Sequence, residues 1–115
     1  MTERDPRTVL AESIGYLALV ATRRLYDEQP KLWDLGENGR ARTLEDFTHH
    51  LKALASLDDV TFRNHVVYCR QLFADRNLPL RWLDDAWRTI VVVLTDELPS
   101  SVHVPALELL ARGTA

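Results

Sequence analysis

Helix breakers cut this chain into segments, and within each segment apolar residues recur at helical spacing. Leu10, Ile14, Leu17, Ala18, Ala21 and Leu25 form one stripe, and Leu44, Phe47, Leu51 and Leu54 a second. Phe62, Val66, Cys69 and Phe73 make a third; Leu80, Leu83, Trp87, Ile90, Val91 and Leu94 make a fourth. Side chains three and four positions apart share one side of a helix, so each stripe reads as the buried face of an amphipathic helix. Asp5-Pro6 opens the first helix with an N-cap and a proline at the first helical position. Pro30 ends it, because the residue before a proline is pushed out of the α region. Lys31 to Leu35 reads as a short helical turn stopped by Gly36, with a loop running on to Arg42. Thr43, with Asp46 three residues later, has the form of a capping box. Asp58-Asp59 supplies the next turn and N-cap, Asn77 a left-handed stop before Pro79, and Pro99-Ser100-Ser101 another break. Val91-Val92-Val93 is β-rich but lies inside the fourth stripe, so it stays helical. The spacing predicts helices near 6–28, 44–57, 60–76, 80–97 and 102–112, the last ending at Gly113. The chain is thus a single all-α domain, a bundle of about five or six helices.

At 115 residues the chain is long enough to bury a core without staples. Phe47, Leu51, Phe62, Val66, Cys69, Phe73, Leu83, Trp87 and Ile90 are the residues expected to be nearly fully buried. The formal net charge is −3, with both signs interspersed, which leaves no basic stripe for nucleic acid. One cysteine excludes a disulfide within the chain and suits a reducing compartment. The start, Met1 to Asp5, is polar and lacks the pattern of a signal peptide. The longest apolar run, Ile90 to Leu94, is far too short to span a bilayer. A cytoplasmic protein is expected.

The order of segments resembles a known family. Arg24-Leu25-Tyr26-Asp27-Glu28-Gln29-Pro30-Lys31-Leu32 precedes Thr43-Leu44-Glu45-Asp46-Phe47-Thr48-His49-His50-Leu51-Lys52. Leu57-Asp58-Asp59 and a helix closing on Asn77-Leu78-Pro79 follow. This is similar to the globin-like phycobiliproteins, in which a "(S/Y)LFxEQPxL" segment leads to a "CLRDxxYYLR" helix, an acidic turn and a helix ending in "LGTP". It also resembles the globins encoded beside bilin-biosynthesis enzymes, and the helical domains that precede cobalamin-binding domains in some bacterial sensors. The likeness covers roughly residues 15 to 98 and implies a globin-like bundle.

By that resemblance, Asp46 matches the aspartate that accepts pyrrole N–H groups of a linear tetrapyrrole, a role a carboxylate can fill for two donors at once. The alternative is that Asp46 caps its helix and pairs with His50 at i, i+4. The departures from the family pattern matter. Thr43 stands where the bilin-attaching cysteine belongs, so a bilin here is expected to be non-covalent. Glu45 replaces the arginine that meets a propionate, leaving Arg40 and Arg42 of the preceding loop as substitutes. His49-His50 replaces the tyrosine pair. The implied pocket lies between the second and third helices, with Asp46 at its wall and His50 or Tyr68 against the rings. His65, on the flank of its helix, is the candidate ligand if the tetrapyrrole were haem. A lone flank histidine is more often a surface or capping residue, so haem is not expected.

Nucleophile–base pairs, P-loops and glycine-rich fingerprints are missing, and no catalysis is expected. The histidines and the cysteine lack zinc-site spacing, and the adjacent His49 and His50 point apart on a helix, so no metal is expected. Cys69 reads as a buried, inert thiol. Trp87 reads as core, Trp82 as lining a pocket or interface, and Trp33 as a lid on the bundle. Tyr16, Leu19 and Val20 give the first helix a second apolar face, which points to a homodimer burying on the order of 1,200 Å² or more. Two functional classes stay open: a globin-like domain binding a tetrapyrrole, and a cofactor-free helical module that dimerises or docks on a regulatory partner.

Overall fold

The computed structural model describes residues 4–115; Met1, Thr2 and Glu3 lie outside it, and with them most of the polar start. It is built of helices: α1 (Pro6–Glu28), a 3₁₀ turn (Pro30–Leu35), α2 (Gly36–Ala55), α3 (Asp59–Asp75), α4 (Leu80–Glu97) and α5 (Ser100–Thr114). No strand occurs among the described residues, as the stripes require. None of these helices is long and apolar enough to cross a membrane.

The punctuation works through local hydrogen bonds. Asp5 accepts the Arg7 backbone N–H at 2.8 Å, and Asp58 that of Thr61 at 2.8 Å. Each satisfies a donor that the first helical turn leaves unpaired. Asn77 takes a left-handed φ of 55°, and Leu78 N–H bonds the Phe73 carbonyl at 2.8 Å, closing α3 before Pro79.

α2 starts eight positions earlier than the capping-box reading places it, at Gly36 instead of 44. Gly36 reverses the chain with φ +73°, which its lack of a Cβ permits. Glu37, Arg40, Ala41 and Arg42 are good helix formers and extend the helix through the expected loop. Thr43 therefore lies mid-helix. Its hydroxyl bonds back to the Gly39 carbonyl at 3.0 Å and meets the buried Tyr26 hydroxyl at 3.1 Å. At the other end, Gly113 does not stop α5, which runs on to Thr114. Gly113 is buried, and a Cβ there would run into the Phe62 ring, so it is a packing glycine.

One hydrophobic core joins all five helices. α1 lies centrally, packed on α2, α4 and α5, while α3 closes the other side against α2, α4 and α5. Leu17, Ala18, Phe47, Leu54, Phe62, Val66, Ile90 and Leu94 are buried within it. Of the residues expected in the core, Phe73 alone is only partly buried, near the end of α3. Val20 likewise packs against the core instead of standing free; Tyr16 and Leu19 remain exposed.

Candidate functional site

The turn between α2 and α3 is short, so the two helices fold back on each other. His50 stands seven residues before Leu57 and His65 seven residues after Asp58. Asp46 and Cys69 stand eleven residues out on either side. An antiparallel hairpin thus sets His50 level with His65 and Asp46 level with Cys69, and each helix presents its pair at i, i+4.

The structure realises this register. His50 Nδ1 lies 2.8 Å from His65 Nε2, and that nitrogen lies 3.5 Å from Cys69 Sγ. Ligand atoms of all three residues fall within 4.8 Å of one another. His50 is only 7% exposed. Trp87 of α4 covers its ring at a centroid distance of 4.5 Å, and Phe47 meets it edge-on at 6.3 Å. Phe62, at 5.7 Å from Trp87, completes the apolar floor. The expected Asp46–His50 pair gives way to the histidine pair.

Burial sets the charge of this cluster. Loss of water, and secondarily the nearness of His65 and His49, drives the His50 pKa down to about 3. His65 is lowered for the same first reason, with His49 adding repulsion. Burial, then Asp46, pushes the Cys69 thiol up to about 11. Asp46 is raised by its partial enclosure and by Glu45, against the pull of His49, Arg42 and Arg76. At neutral pH the cluster is therefore two neutral imidazoles and a thiol. One imidazole of the pair donates its N–H and the other accepts it.

The other tetrapyrrole candidates scatter. Arg42 is exposed beside Asp46, and Tyr68 is 62% exposed, away from the cluster. Arg40 lines a cleft of about 300 Å³ between α1, the 3₁₀ turn and α2, with Leu19, Arg23, Tyr26 and Trp33. A second cleft, of about 330 Å³, lies between Gln29 and Asp85. Between α2 and α3, Phe47, Leu51 and Leu54 of the one and Phe62 and Val66 of the other are buried in the core. Trp33 leans edge-on against Tyr26 at 4.9 Å, in keeping with a lid, and Trp82 is exposed.

The His50–His65–Cys69 cluster is what the spacing argument misses. Its ligands are not close in sequence: they come from two helices. The available signal was His65 and Cys69 at i, i+4, with His50 at the matching distance across the turn. No protein-family model matches the chain, and neither a curated protein nor a solved structure does.

Proposed function

We propose that this protein is a non-enzymatic helical interaction module of a bacterial regulatory system, globin-like in arrangement, that pairs with a second copy of itself through α1. The exposed face around the first cleft carries this reading. Leu19 is 45% exposed and Trp33 53%, with Arg23 and Arg40 beside them; Tyr16, 58% exposed, stands one turn before Leu19 on α1 with its hydroxyl donating to Glu97 of α4. Tyrosine, tryptophan and arginine are the side chains most enriched where protein interfaces gain their energy. The cleft between Leu19 and Trp33 offers each copy a place to seat an apolar side chain of the other. A domain of this kind works inside the cytoplasm by holding two chains together. Light scattering between 1 and several hundred micromolar tests the pairing, with Leu19→Glu as the disrupting variant (concentrations on the order of those at which weak dimers form). The expected result is a dimer that Leu19→Glu dissociates. A monomer throughout the range rejects the proposal.

A second reading is favoured by the same cleft. Tyr26 and Trp33 give it aromatic walls, and Arg23 and Arg40 outweigh Asp27 to leave it one positive charge, which suits a flat anionic molecule such as a bilin. Such a bilin would be held without a thioether, and Arg40 rather than Asp46 would be the contact that matters. Biliverdin, phycocyanobilin and haem mixed with the protein should then give a shifted, sharpened absorbance band that Arg40→Ala weakens by about tenfold in affinity. Absence of a band with all three removes this reading.

A further inference from the structure

We propose that His50, His65 and Cys69 form a binding site for a transition-metal ion of the zinc class, with Asp46 closing the coordination from the solvent side. The donor set is two imidazoles, one thiol and one carboxylate, the nitrogen–sulfur–oxygen mixture that zinc and cobalt accept. A tetrahedral site with ordinary zinc–nitrogen and zinc–sulfur bonds separates its ligand atoms by about 3.3 to 3.6 Å. The 3.5 Å between His65 Nε2 and Cys69 Sγ already fits. The 2.8 Å between the two imidazole nitrogens must open by roughly half an ångström, a small rotation of the half-buried His65 ring about its side-chain bonds.

The three clustered ligands are set by helices and not by loops. Each helix contributes a pair at i, i+4, and the hairpin sets the pairs level, so the ligands sit on rigid elements as a metal site requires. His50 is nine-tenths enclosed with Nδ1 aimed at the cluster, and Trp87 and Phe47 fix its ring plane. Asp46, one turn before His50 on α2 and exposed, lies outside the group of atoms within 4.8 Å and would have to swing its carboxylate in from the solvent side to reach the ion.

Binding is balanced simply. The divalent ion replaces the hydrogen bond between the imidazoles, and the proton in that bond moves to the other nitrogen of its own ring. Cys69 gives up its thiol proton to solvent and binds as thiolate, so one proton leaves per ion bound and no electron is transferred. The ion then cross-links α2 to α3 and stabilises the folded chain by mass action.

The experiment uses full-length, tag-free protein, stripped of metal and kept reduced, titrated with cobalt(II) and then with zinc(II). Cobalt should give a thiolate-to-metal charge-transfer band and tetrahedral visible bands, saturating at one ion per chain and displaced by zinc. Zinc should raise the thermal midpoint, and a chelator should reverse the rise. Cys69→Ser should abolish the charge-transfer band, and His65→Ala should weaken cobalt binding at least tenfold. His65 is only half-buried, Cys69→Ser is nearly isosteric, and circular dichroism checks that each variant is folded. His103→Ala on α5, whose imidazole bonds the Leu98 carbonyl at the end of α4, should leave cobalt binding unchanged. Asp46→Asn should weaken binding by about tenfold; unchanged affinity overturns its assignment as the fourth ligand. A folded wild-type protein without the thiolate band, or a band that persists in Cys69→Ser, overturns the site.

Discussion

Phe62 and Phe73 stand eleven residues apart on the same stripe of α3, yet their surroundings differ. Phe62 is fully enclosed, wedged between Trp87 and the bare Cα of Gly113. Phe73, near the end of α3, packs against the edge of the core and is only partly buried. Truncating Phe62 to alanine should cost about 3–5 kcal/mol, while Phe73→Ala should cost roughly half of that. Urea unfolding of the two variants measures both, and equal losses would show that α3 packs uniformly along its length. The same contrast marks what one sequence conveys. Periodicity identifies which side of α3 faces inward. How far that side is covered depends on the helices packed around it, which α3 does not encode.

Helix ends were legible wherever a side chain or a proline acts on its own neighbours. Asp5, Asp58, Asn77 and the two prolines at 79 and 99 all terminate or start helices through bonds within a few residues, so their meaning is local. The start of α2 was not. Residues Glu37 to Arg42 are polar and carry no stripe, so only their modest helix propensity speaks for them. The Tyr26–Thr43 contact, which ties that turn to α1, spans 17 positions. Removing the Asp58 cap with Asp58→Ala should lower the urea midpoint, since the Thr61 N–H loses its acceptor at the exposed start of α3. Chemical denaturation with an unchanged m-value would show it. The candidate metal ligands follow the same logic as the start of α2: Asp46 and His50 were visible as one shoulder of α2, while their partners became visible only once the hairpin register was known.

For the molecule as a whole, the histidine pair makes stability depend on acid. In the metal-free protein His50 stays neutral when folded, with a pKa near 3, against an ordinary value of 6.5. Between those values the unfolded chain binds a proton that the folded chain refuses. Stability is therefore present in full above about pH 6.5 and falls as pH drops toward 3, by up to about 1.4 kcal/mol per unit for this one group. His65 acts in the same direction. Urea midpoints at pH 7.5, 5.5 and 4.5 should decline steadily, and His50→Gln should flatten the decline. A flat profile in the wild type would mean that the ring gains water freely. Surface ion pairs such as Arg24–Asp96 and Arg112–Asp59 bind helices at the periphery, but exposed pairs of this kind contribute little and cannot mask the effect.

Trp87 sits against the His50 ring, while Trp33 and Trp82 are exposed. An indole touching an imidazole is a natural optical gauge of that imidazole's state. A charged imidazolium accepts an electron from the excited indole and darkens it, and a paramagnetic ion nearby drains its excitation. Replacing Trp33 and Trp82 by phenylalanine would leave Trp87 as the sole emitter, blue-shifted by its enclosure. Its brightness would then follow protonation and metal loading of the cluster directly, in a protein that needs no attached dye.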